Sequence, residues 1–96
     1  MLTSQEIITT LKSAKPLLEE KYSVKTLALF GSYSRNEASD SSDVDILVAF
    51  HKSIGILYVD LADELELILH QKVDLVSANA IKAKYFDAIK PDLIYV

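Results

Sequence analysis

Two carboxylates stand at the head of an apolar run, Asp43-Val44-Asp45-Ile46-Leu47-Val48. This stretch constrains the fold more than any other. Residues i and i+2 of a strand project to one face, so Asp43 and Asp45 lie side by side while Val44 and Ile46 turn to the other face. Bare carboxylates this close repel, and one takes up a proton unless a cation neutralises them. Asp45 lies deep enough in the run that an unpaired charge there is costly. A second apolar run closes on Gly31-Ser32, with ten residues between Ser32 and Asp43. Only two glycines occur in the chain, so Gly31 is read as a tight strand-to-helix turn that lets a ligand approach the backbone.

The cation that suits such a pair is magnesium. It prefers oxygen ligands and commonly binds one or two carboxylates together with substrate phosphates. Ser32 adds a hydroxyl, and a helix starting there points free amides toward a phosphate. Asp74 interrupts Val73-Asp74-Leu75-Val76 as Asp43 and Asp45 interrupt their run. If its strand lies beside the first, Asp74 joins the cluster as a general base or a metal ligand. Its alternative role is an edge-strand charge that resists aggregation. Arg35 also has two readings, a phosphate contact or a salt bridge to Glu37 or Asp40.

The rest of the chain sets these residues in a small fold. Thr3 and Glu6 form a capping-box pattern, and Ile7, Leu11, Ala14 and Leu18 recur at helical spacing to about Lys21–Ser23. Pro16 predicts a kink or split near Ser13 to Lys15. Strands are expected at Val24–Phe30, Asp43–Phe50 and Val73–Val76. A short helix is expected over Ser32–Asn36 and a polar loop over Glu37–Ser42. A long helix is expected from Ile56 to His70, with Leu57, Leu61 and Leu65 in its stripe. Asp60, Asp63, Glu64 and Glu66 lie mostly off that stripe, as a solvated face or one turned to a basic partner. Asn79 is placed to cap a last helix from Ala80 to about Lys90, which Pro91 stops. Leu93 to Val96 is an apolar tail that must dock, in the core or at an interface. His51 and His70 fall at element ends without metal-ligand spacing. The predicted class is α/β (α+β), a small mixed β-sheet with helices mainly on one side, formed by residues 1–96 as a single domain.

Composition narrows the function. Half of the residues are apolar and the net charge is −4, which suits a packed core and argues against a non-specific nucleic-acid binder. There is no cysteine, so disulfides, zinc–thiolate sites and cysteine nucleophiles are excluded. Met1–Glu6 lacks the pattern of a signal peptide, and the apolar runs are too short to span a membrane. A soluble cytoplasmic protein without membrane contact is expected.

Leu29-Phe30-Gly31-Ser32-Tyr33-Ser34-Arg35-Asn36-Glu37-Ala38, then Ser42-Asp43-Val44-Asp45-Ile46-Leu47-Val48, then Lys72-Val73-Asp74-Leu75-Val76, resembles the minimal nucleotidyltransferase (MNT) domain of the polymerase-beta-like nucleotidyltransferases. Ser34 stands where that family usually has Ala, and Asn36 where it has Gly. The resemblance implies a nucleotidyltransferase core, with Asp43, Asp45 and Asp74 as catalytic and metal-binding residues and Gly31, Ser32 and Arg35 at the nucleotide. It implies magnesium and ATP, and transfer of a nucleoside monophosphate to a hydroxyl. Many stand-alone MNT proteins are antitoxins that bind a helical HEPN toxin and adenylylate a tyrosine on it. A HEPN partner in a hetero-oligomer, in a type VII-like toxin–antitoxin pair, is therefore expected, because the chain has no second domain to wall in an acceptor. The competing expectation is a non-catalytic nucleotide-binding module that neutralises its partner by contact alone. Transfer to a small molecule is disfavoured by the same missing domain.

Overall fold

The computed structural model describes residues 2–96. It places four strands, β1 (Val24–Phe30), β2 (Val44–Phe50), β3 (Val73–Ser77) and β4 (Ile94–Tyr95), in one sheet of order β3-β2-β1-β4. β1 runs antiparallel to β2 and β4, and β2 runs parallel to β3. The sheet is therefore mixed, as expected. The helices are α1 (Ser4–Tyr22), α2 (Gly31–Ser34), α3 (Leu57–Leu69) and α4 (Ala83–Ile89), which passes into a 3-10 turn over Lys90–Asp92.

Alternation along the strands splits the apolar residues between two faces. Val24, Leu27, Leu29, Val44, Ile46 and Val48 join Ile7, Leu11 and Leu18 of α1 and Leu61, Leu65 and Leu69 of α3 in the main core. Ala28, Phe30 and Leu47 turn the other way and meet Ile89 of α4, with Phe86 and Leu93 against them. The two long helices thus lie on one face, as expected, and the short α4 covers the other. The cause is the double-sided apolar character of β1 and β2, which leaves a second face that must be covered.

Three local expectations change. α1 is one helix with Pro16 inside it and no split. Pro16 and Lys12 both face solvent, on the side of the helix where a lost backbone hydrogen bond costs least. α4 begins at Ala83 after an N-cap at Lys82, not at Ala80 after Asn79. The Asn79 side chain instead accepts a hydrogen bond from the Phe50 backbone N–H at 3.3 Å. The short helix is shifted to Gly31–Ser34, and β2 opens at Val44 with Asp43 just before it. The capping box at Thr3 and Glu6 forms as read, with reciprocal bonds of 3.1 and 2.9 Å. The tail docks as β4: Val96 N–H donates to the Leu27 carbonyl at 3.0 Å, and Lys15 Nζ donates to the Val96 carbonyl at 2.8 Å.

Candidate active site

β1 delivers the chain to Gly31, whose φ of +75° lies in the left-handed region that L-residues avoid. A second demand falls on the same atom. A side-chain carbon at Gly31 would overlap Asp45 Oδ2 and stand 3.0 Å from Asp45 Cγ. The Asp45 carboxylate therefore lies against the Gly31 backbone, and only glycine leaves room for it. This contact follows from the ladder, in which Phe30 pairs with Asp45. The two halves of the motif meet because antiparallel pairing returns the head of β2 to the end of β1.

Asp45 pairs with Asp74 across the parallel ladder, so β3 does lie beside the first carboxylate strand. Val73 and Leu75 pack into the main core, and Asp74 consequently shares the opposite face with Asp45. The head of β3 is held by two backbone ties. Val44 N–H donates to the Lys72 carbonyl at 2.8 Å, and Val73 N–H donates to Glu66 Oε2 at 2.9 Å. Asp43 and Asp74 are exposed and Asp45 is half-buried, so the site is open on one side.

Crowding marks the chemistry of this face. The Asp45 carboxyl is pushed up to about 6, first by its partial burial, then by the charges of Asp74 and Asp43, and by a hydrogen bond shared with Asp74. Among the described residues, Arg35 is the cation that pulls the other way. Among the described residues, no three His, Cys, Asp or Glu side chains are already gathered as a metal-ligand set. The donors are nonetheless those a hard divalent cation takes, and a cation would relieve the repulsion that helps raise the Asp45 carboxyl.

The nucleotide-side residues are placed unequally. Ser32 is half-buried at the turn. α2 has only four residues, so its dipole is small, and Ser32 offers its hydroxyl and nearby amides rather than a helix field. Arg35 ion-pairs with Glu37 at 2.9 Å and with Asp92 at 2.5 Å. The Glu37 pair was one of the two partners read from the sequence; Asp92, from the far end of the chain, was not. Ser42 is turned inward on its own loop, accepting from the Ser39 N–H at 3.0 Å.

Sequence reasoning also missed the scaffold beneath the turn. Tyr33 is fully buried, and its hydroxyl donates to Gln71 Oε1 at 2.7 Å. Ser4 Oγ donates to the Tyr33 carbonyl and bonds Asn36 Oδ1 at 2.8 Å. The Gly31–Ser32 turn is thus tied to the start of α1 and to the connection that leads into Asp74. The only signal available was the position of Tyr33 directly after Ser32. A cavity of about 410 Å³ opens at the other end of β2, around Phe50, Lys52, Tyr58 and Asn79, away from the carboxylates.

Known proteins resemble this chain in sequence and fold. Residues 12–95 match the family described as "Polymerase beta, Nucleotidyltransferase". A Methanocaldococcus jannaschii protein provisionally named as a protein adenylyltransferase is 48% identical over 98 residues, covering 100% of both chains. Protein adenylyltransferase MntA of Thermococcus cleftensis is 38% identical over 97 residues, covering 100% of this chain and 98% of its own. Among solved structures, a chain of a toxin–antitoxin crystal structure with AMP-PNP superposes with a TM-score of 0.71 at 25% identity. That match covers 98% of this chain and 72% of the other. With a family match over nearly its whole length and full-length relatives well above 30% identity, the chain belongs to the polymerase beta nucleotidyltransferase family.

Proposed function

We propose that this chain transfers AMP from magnesium–ATP to a hydroxyl, most simply a tyrosine, on a HEPN-type toxin, and so acts as the antitoxin of a type VII-like pair. The observation that carries this reading is the contact of the Asp45 carboxylate with the Gly31 turn, with Asp74 in register beside it. A left-handed backbone turn and carboxylates meet there on one open face. The protein adenylyltransferase names of its relatives support it, as does the likeness to a chain from a toxin–antitoxin structure containing AMP-PNP.

Each residue then has a task. Gly31 and Ser32 bind the phosphates through backbone amides and the Ser32 hydroxyl. Asp43 and Asp45, with Asp74 beside them, would hold a magnesium ion, which would supply charge neutralisation to the phosphates. Asp74 accepts the proton of the attacking hydroxyl as its oxygen bonds to the α-phosphorus and pyrophosphate leaves. Arg35, steadied by Glu37 and Asp92, adds positive charge at the rim. The exposed side of Asp43 and Asp74 is where an acceptor from another protein enters.

The test mixes the purified chain with ATP labelled at the α-phosphate, magnesium and a HEPN-type toxin from the same genome. Label is expected on the partner, and Asp43→Ala with Asp45→Ala is expected to abolish it. Absence of transfer from the unaltered chain would overturn the enzymatic reading. If that double variant still protects cells from the toxin as well as the unaltered chain does, contact alone is the biological activity.

A further inference from the structure

The outward face of α3 carries a stripe that the core does not use. At 100° per residue, Ile56 at the N-cap, Val59, Asp60, Asp63 and Leu67 fall on one side, opposite the buried Leu61 and Leu65. Ile56 is 88% exposed, Val59 62% and Leu67 73%. Single exposed aliphatics are ordinary, but three aligned along one short helix form a patch that marks an interaction surface.

The acids of α3 divide in the same way. Glu64 is taken up inside the molecule, accepting from Lys21 Nζ at 2.9 Å and from the Tyr22 hydroxyl at 2.7 Å. Glu66 accepts from the Val73 N–H. Asp60 and Asp63 have no ion-pair or side-chain hydrogen-bond partner among the described residues. The two unpaired acids are those on the apolar stripe.

Their position identifies the occupant. If two copies paired antiparallel through α3, Asp60 of each would face Asp63 of the other near the centre of the contact. Like charges set against each other there disfavour a second copy. We propose that this face of α3 docks a helix of a partner protein that presents aliphatic side chains flanked by Lys or Arg. The proposal locates the partner of the reaction above and rests on that reading for the partner's existence.

The placement has a consequence for catalysis. α3 packs on the main-core face of the sheet, whereas Asp45 and Asp74 share the opposite face. β3 is the edge strand between them, reached from α3 through Gln71 and Lys72. A partner held on α3 reaches the carboxylates around that edge. Docking and transfer are therefore separable.

The experiment measures the affinity of a HEPN-type toxin from the same genome for the purified chain by calorimetry. Ile56→Asp with Leu67→Asp, and separately Asp60→Lys with Asp63→Lys, are expected to weaken binding by about 20-fold or more. Binding to the unaltered chain should weaken with salt, and the charge-reversed variant should lose that dependence. Circular dichroism and ATP affinity should be unchanged in both, since neither pair touches the core or the nucleotide residues. Asp43→Ala with Asp45→Ala should bind the partner like the unaltered chain, so a chain that docks but does not transfer refutes the reaction and keeps the docking face. Unchanged affinity in both α3 variants, or no binding to the unaltered chain, overturns the proposal. So does a dimer of the unaltered chain that Ile56→Asp with Leu67→Asp converts to monomers.

Discussion

At the scale of single residues, Asp45 is the member of the site whose surroundings oppose its charge. Its carboxyl is raised from the ordinary 3.8 to about 6, so the folded chain favours the protonated form. Stability from that proton is fully present below about pH 4 and is lost as pH rises through about 6. The metal-free protein should therefore weaken between pH 5 and pH 7.5, by on the order of 1 kcal/mol once solvent screening of the half-exposed group is allowed for. Urea midpoints at the two pH values check this, and Asp45→Asn should flatten the difference. The same variant should lower transfer by about 100-fold or more, because it removes a charge on which the proposed reaction depends. Greater stability with lower activity is the signature expected of a functional carboxylate, whereas a merely structural one would lose both. Gly31 carries a complementary prediction. Gly31→Ala meets both a φ of +75° and the Asp45 carboxylate, so it should cost about 1 kcal/mol or more in denaturation. On the proposed function it should also weaken ATP affinity, because the Gly31 turn and Asp45 can no longer touch.

At the scale of elements, what the sequence revealed was local or broke a pattern. Thr3 and Glu6 announce α1 because both halves of a capping box lie within one turn. Asp43, Asp45 and Asp74 are visible because each puts charge into an apolar run or at its head. Residues joined only by the fold were not visible. Asn79 looks like a helix cap, but the Phe50 N–H, 29 residues away, claims its side chain. Arg35 finds Asp92 across 57 residues, through a tail whose docking no periodicity announces. Tyr33 and Gln71 belong to this second group, and their bond can be tested. Tyr33→Phe leaves Gln71 Oε1 without its donor while keeping the buried ring, so a loss of about 1 kcal/mol is expected in urea unfolding. If the pair also positions the turn relative to Asp74, the KM for ATP should rise more than kcat falls. An unchanged KM would restrict Tyr33 to a structural role.

At the scale of the whole molecule, the end of the chain closes the sheet beside the strand that leads into the site. β4 covers one edge of β1, and Leu93, Ile94 and Val96 pack onto the two cores from that edge. The same segment supplies Asp92 to Arg35 and its backbone carbonyl to the Ser34 hydroxyl. It therefore braces the far side of α2 while Tyr33 braces the near side. Deleting residues 93–96 removes three partly buried aliphatic side chains and the Val96 N–H bond to Leu27, a loss of about 3 kcal/mol by apolar burial alone. It also exposes the edge of β1 as a template for pairing with other chains. The truncated chain should unfold at markedly lower urea and form concentration-dependent aggregates, read by light scattering. Asp92→Ala separates the two roles of the segment. It leaves β4 in place and frees Arg35 from one anchor, so stability should change by less than about 1 kcal/mol, with the effect confined to ATP-dependent transfer. If Asp92→Ala destabilises the chain as much as the truncation does, the tail acts through that ion pair rather than by completing the sheet.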